Sequence, residues 1–196
     1  MDIPYTSDVR PDTGTTSQRL GMWLFLASEV MLFGSLFSAY ALLRAGSMTW
    51  PDQSSIVNVP LASANTLVLL ASSAAMMRAV GRIRANDVGG FRTSLAITTA
   101  LALVFLVIKS VEYSGELGHG LRPATSNFVG LYFVMTFLHA VHVAGGALVT
   151  GYLAGPGAGM HHHHHGRLVG KTETVALYWY FVDMVWLLMF VTLYLL

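Results

Sequence analysis

The chain of 196 residues contains no cysteine. That single absence removes disulfides, thiolate metal sites, iron–sulfur clusters and cysteine nucleophiles together. Charge is nearly as scarce: only 11% of residues are Asp, Glu, Lys or Arg, where a soluble domain carries about a quarter. The formal net charge is +1, and no basic patch is interleaved with aromatics, which argues against nucleic acid as a partner. Also missing are the ten-residue stretches of alternating polarity that mark a membrane β-barrel. What remains is oil: 54% of the chain is hydrophobic, the composition of an integral membrane protein.

A helix needs about 20 mostly apolar residues to cross roughly 30 Å of hydrocarbon. Five runs qualify, at about 20–43, 61–80, 93–111, 128–153 and 173–196. Pro60 just before the second suits a first helical turn. The expected fold is therefore all-α, a polytopic bundle with five transmembrane helices. Residues 1–19 are polar, contain two prolines and lack an apolar core, so they read as a tail and not as a cleavable signal peptide. The other loops are short, and no sizeable soluble domain is expected on either face. Basic residues set the expected orientation. Arg10, Arg19, Arg78, Arg82, Arg84, Arg92, Arg167 and Lys171 fall on one side, against Arg44, Arg122 and Lys109 on the other. By the positive-inside rule the N-terminus is cytoplasmic and the C-terminus outside. Arg78, Arg82 and Arg84 then serve as topology anchors that touch anionic headgroups.

A charge at bilayer centre costs about 2.5–3.5 kcal/mol on insertion scales, so charged groups at depth usually face a partner or a cavity. Glu29, His139, His142 and Asp183 lie at such depth. A rise of about 1.5 Å per residue puts Glu29 roughly 13 Å into the first span and places it, His142 and Asp183 at one level to within about a turn. Phe25, Leu26, Leu32 and Phe33 flank Glu29 on its own helix, so its partner must come from another, and a histidine of the fourth helix can either donate to it or accept from it. The expectation is a buried polar network of all four residues, structural or engaged in proton or lipid handling. For Asp183, Trp179, Tyr180 and Trp186 are local candidate donors.

His139 and His142 share one helix face, so neither a haem clamped between two helices nor a di-iron site is expected of this chain alone. Lys109 and Glu112 fall at the outer end of the third span, where a snorkelled interfacial ion pair is the default reading. The run His161 to His165 has no acidic or cysteine partner to define a metal geometry and is assigned no function. Small residues recur at helical spacing as Ser63, Ala71, Ala75 and Ala79 in the second span, and as Gly34 and Ser38 in the first. Such stripes serve either the chain's own packing or a neighbouring membrane subunit.

Several stretches coincide with a known family. They are Gly21-Met22-Trp23 through Ser28-Glu29; Asn65-Thr66 followed by Ser72-Ser73; Phe105 to Tyr113; Asn127 to Gly146 with its His-x-x-His-Val; and Tyr178 to Trp186. The chain resembles subunit III of the haem-copper respiratory oxidases, the cytochrome c oxidase subunit III-like family, in its short five-helix form. The resemblance runs through all five spans in order. It departs at Phe137 and Ala140, where the family commonly has Gly, and at Tyr180, where it has His. The resemblance implies a noncatalytic subunit of the cell inner membrane, packed beside subunit I and near subunit II. It also implies that this chain binds no redox cofactor, with haem and copper held by the partner subunits and phospholipid bound at its surface. The implied role is to sustain subunit I and its proton uptake during oxygen reduction in the aerobic respiratory chain. Rival roles are the same position in a quinol oxidase or nitric oxide reductase complex, or a stand-alone permease with Glu29, His142 and Asp183 as a proton relay.

Overall fold

The computed structural model describes residues 16–51, 53, 56–118 and 120–196. Most of the polar tail, residues 1–15, lies outside the described residues, as do the side chains of Met160 and His161 to His164. Five helices form: α1 (Ser17–Ala45), α2 (Val59–Arg84), α3 (Val88–Gly118), α4 (Asn127–Ala154) and α5 (His161–Phe190). A 3₁₀ turn, Pro156–Met160, leads into α5, and a π-helical turn, Val191–Leu195, follows it. All five are long and apolar enough to cross a membrane, and among the described residues no strand is present.

Local chemistry explains where the helices start. Thr16 accepts from the Arg19 amide at 3.4 Å, Asn58 from Leu61 at 3.0 Å, and Ser126 from Val129 at 3.2 Å. Each side chain satisfies an amide that the first turn leaves without an intrahelical partner. The α2–α3 turn is tighter. Asn86 takes a left-handed φ of 63°, a conformation that Asn tolerates better than most residues. The Asp87 carboxylate then accepts from Gly90 at 2.8 Å and from Arg82 at 2.7 Å. Those two donors, the amide first, hold the Asp87 carboxyl below its ordinary range.

Two helices run well past the apolar runs that announce them. α3 continues to Gly118, beyond the expected end near 111, because Glu112 and Glu116 are turned into the protein. α5 begins at His161, twelve residues before 173, as a polar helix outside the apolar window. Length in a helix is set by backbone hydrogen bonds and tertiary cover, whereas hydropathy marks only the part suited to lipid.

α2, α3, α4 and α5 form a closed ring in which each packs on the next, and α1 leans from outside on α4 and α5. In the most apolar window of α1 only 11% of residues are buried, against 28–39% in the other helices. α1 therefore has little apolar cover within the chain, which puts weight on whatever polar contact fastens it. At the α4–α5 crossing, a Cβ on Gly146 would come within 2.6 Å of the Trp179 ring. A glycine there lets the indole lie against the α4 backbone. The small residues divide: Ala75 and Ala79 are buried in the ring, while Gly34 has open space where its Cβ would stand and Ser38 is exposed.

Candidate functional site

α1 places Glu29 against α4, where its Oε2 lies 2.9 Å from Nε2 of His142. The approach is at ion-pair distance but lacks the alignment of a full ring N–H···O bond, and Oε2 has no other partner. The far nitrogen decides the chemistry. His142 Nδ1 lies 2.7 Å from the carbonyl oxygen of Leu138, which can only accept, so Nδ1 carries a hydrogen. Nε2 then either accepts from a neutral Glu29 acid or donates as an imidazolium to a Glu29 carboxylate. Phe33 meets the imidazole edge-on at 5.4 Å, and Tyr178 of α5 donates to the His142 carbonyl at 2.9 Å. Three helices thus converge on His142.

The other two residues expected in this network are elsewhere. Asp183 accepts a hydrogen bond from Ser73 of α2 and does not join Glu29. Nor do the nearby indoles serve it: Trp179 donates to Ser72 at 3.0 Å and Trp186 to Thr66 at 2.9 Å. The polar face of α5 is a seam to hydroxyls of α2. His139 is fully buried and stacked on Trp186 at 5.1 Å with Phe105 edge-on at 5.7 Å. Neither of its nitrogens has a hydrogen-bond partner. The expected four-residue network is therefore corrected to a Glu29–His142 pair, an Asp183–Ser73 pair and an isolated aromatic-caged imidazole. The physical reason is angular, since equal depth along separate helices does not make their side chains face one another.

The largest polar assembly lies at the end of α3. Lys109 and Glu112 are paired at 3.0 Å, but each side chain is only 2% exposed. The expected snorkelling pair is thus corrected to a buried one. Lys109 also donates to Tyr132 at 3.1 Å and to Tyr194 at 2.7 Å, and its ammonium lies 5.0–5.4 Å from the rings of Tyr113, Tyr132, Trp186 and Tyr194. These contacts replace the water the ammonium has lost. With all three ammonium protons engaged, the phenols pass their own protons on, Tyr194 to Glu112 at 2.9 Å and Tyr132 to Glu116 at 2.7 Å. Two carboxylates face one ammonium. The Glu112–Glu116 side borders a groove of about 730 Å³ that Val57, Pro60 and Val111 also line.

Glu116, Tyr132 and Tyr194 were not singled out from sequence. Lys109, Glu112 and Glu116 stand at i, i+3 and i+7, one stripe of a helix, and that spacing was the available signal. The tyrosines, contributed by α4 and the terminal turn, had none. At the opposite end of the bundle the anchoring arginines differ from one another. Glu173 holds Arg84 at 2.7 Å and Arg19 at 2.6 Å, which ties α1, α2 and α5 together, and Asp87 holds Arg82. Among the described residues, no cluster of three or more His, Asp or Glu is arranged to hold a metal ion.

The family model for cytochrome c oxidase subunit III matches residues 10–196. A cytochrome c oxidase subunit 3 of Thermostichus vulcanus is 36% identical over 90% of this chain and 86% of its own length. Its counterpart in Synechocystis sp. is 34% identical over 90% and 74%. That of Corynebacterium diphtheriae is 31% identical over 89% and 86%.

Proposed function

Because the chain belongs to the cytochrome c oxidase subunit III family, we propose that it is the noncatalytic subunit of a haem-copper terminal oxidase in the respiratory chain. Five spanning helices and this membership make it a multi-pass membrane protein. The cell inner membrane, with the N-terminus cytoplasmic as the arginine bias indicates, is the setting that fits. In this reading the chain packs beside subunit I, with subunit II in the same assembly. It carries phospholipid on its flanks and sustains subunit I and its proton uptake, while haem and copper stay in the partners.

The observation that carries the proposal is the way the chain uses its intramembrane histidines. Both lie on α4, His142 bound to the Leu138 carbonyl and against Glu29, His139 stacked on Trp186. They hold helices together and are not opposed across the bundle as a haem clamp requires. Glu29 in this reading fastens the weakly covered α1 to the ring, and the outward faces of α1, with Trp23, Leu24 and Met31 exposed, are left for lipid and partner subunits.

The test is purification from the native membrane. Haem absorbance in the complex but not in the isolated chain, with cytochrome c as donor, supports the proposal. Quinol as donor, or nitric oxide reduction, moves the chain to a sister complex, and proton-coupled flux by the chain alone in liposomes makes it a permease. Within the complex, Glu29→Gln keeps a hydrogen-bonding group against His142 and should be retained through detergent extraction, whereas Glu29→Leu should be lost several-fold, the loss expected for about 1–2 kcal/mol of interhelical polar contact. Equal retention of the two variants refutes the fastening role.

A further inference from the structure

At the end of the bundle away from the arginines, the groove of about 730 Å³ lies between the start of α2 and the last turns of α3. Val57 and Pro60 form one apolar side and Val111 the other, with Glu112 and Glu116 at the floor. Gly115 keeps that floor open, because a Cβ there would meet nothing within 4 Å. The two acids are not equally satisfied. Glu112 has both oxygens engaged, Oε2 by Lys109 at 3.0 Å and Oε1 by Tyr194 at 2.9 Å. Glu116 accepts from Tyr132 through Oε1, but its Oε2 has no partner among the described residues, although Glu116 is only 7% exposed. A buried acid oxygen without a partner carries the full cost of its lost hydration.

The residues present narrow the chemistry of an occupant. An anion would face two carboxylates, and the first turn of α2 has few amides to offer it, since Pro60 has no N–H and Asn58 takes that of Leu61 at 3.0 Å. A calcium-like ion wants six or more oxygens, and among the described residues no third Asp, Glu or His joins the pair. A quaternary ammonium is held by aromatic faces, and none of the described residues lining the groove is aromatic. We propose that the groove binds a primary aliphatic amine, its ammonium donating to Glu116 Oε2 and its carbon chain lying on Val57, Pro60 and Val111. A primary ammonium brings the proton donor that Oε2 lacks and the positive charge that Lys109, already shared between two acids, does not fully supply. Apolar walls around one convergent polar group are the usual make-up of a small-molecule site of this size. The site is built by α2 and α3 of this chain alone, and it sits in the last turn of α3, within reach of water.

The full-length chain in neutral detergent is titrated at neutral pH with n-butylamine, and separately with n-butanol and with tetramethylammonium, and binding is read by saturation-transfer NMR against protein-free micelles. The Kd for butylamine should lie about tenfold below that for butanol, the low end of what a hydrogen bond to a charged group adds. Tetramethylammonium, which has no proton to donate, should bind no more tightly than butanol. Glu116→Gln should remove the advantage of the amine over the alcohol. Gly115→Leu, which projects a side chain into the open floor, should weaken both ligands, with helicity by circular dichroism unchanged. Equal affinity for amine and alcohol in the unsubstituted chain, tetramethylammonium binding as tightly as butylamine, an advantage that survives Glu116→Gln, or undiminished binding by Gly115→Leu would each overturn the proposal.

Discussion

Replacing Lys109 by Met removes an ammonium at nearly constant volume and leaves two buried carboxylates with no cation. The structure sets the size of the effect. Lys109 gives up contacts to Glu112, Tyr132 and Tyr194 at 2.7–3.1 Å, each a hydrogen bond with a charged donor and nominally worth about 1.5–3 kcal/mol. Those values do not add, because wild type already bears the desolvation of the ammonium. Truncating one member of a buried pair typically costs about 3–5 kcal/mol, mostly from stranding the other charge, and this is the loss we expect. It corresponds to a change of roughly two to three and a half decades in the folded-to-unfolded ratio, at about 1.4 kcal/mol per decade. The assay is equilibrium unfolding in mixed micelles on increasing dodecyl sulfate, followed by tryptophan fluorescence, since Trp186 lies beside the ammonium. The double variant Lys109→Met/Glu112→Gln no longer strands Glu112, and should lie about 2 kcal/mol above the sum of its single variants, within the range of coupled neighbours. A loss under about 1 kcal/mol for Lys109→Met, the size of an exposed pair, would mean that the ammonium is solvated at the interface and the buried cluster is wrong. Strict additivity in the double variant would sever the coupling between the two residues.

Gly146→Ala forces a methyl group to 2.6 Å from the Trp179 ring. The α4–α5 crossing must then widen, at about 1–3 kcal/mol for an overpacked site, which the same titration reads; an unchanged midpoint would show that the indole moves aside freely. Asp87→Asn should destabilise the α2–α3 turn at neutral pH but much less in acid. A carboxylate whose folded value is depressed contributes fully above its ordinary value near 3.8 and loses that contribution as pH falls below it toward the folded value. Unfolding midpoints of wild type and variant should therefore converge on acidification below that point, and a gap that stays constant with pH would assign the effect to shape instead of charge.

The Glu29–His142 contact also bears on how the whole bundle holds together. The ring helices share an aromatic and aliphatic interior that includes Phe91, Leu95, Met135, Trp179 and Met189 at no more than 1% exposure, so each has many apolar neighbours. α1 has few, and two polar fastenings compensate: Glu29 to α4 in mid-span, and Arg19 to Glu173 of α5 at the arginine end. A third, Tyr40 donating to the Thr192 carbonyl at 2.8 Å, holds the opposite end. In lipid, where apolar contact gives no hydrophobic gain over acyl chains, such polar and close-packing contacts decide whether a peripheral helix stays docked.

Hydropathy alone determined that the chain is a five-span helical bundle, because crossing about 30 Å of hydrocarbon demands runs of roughly 20 apolar residues that nothing else in the sequence explains. Axial arithmetic also matched Glu29 to His142, since rise per residue is nearly constant in a helix and both lie the same distance from one end. Depth is only one coordinate, however. Which way a side chain turns around the bundle axis depends on which helices are neighbours, and that order put Asp183 against Ser73 of α2 and His139 among aromatic rings, away from Glu29. Lys109 shows the same division: its place near the end of the third span was legible, but whether its charge reached outward or inward was decided by Tyr132 and Tyr194, remote in sequence and brought together only by the closing of the ring.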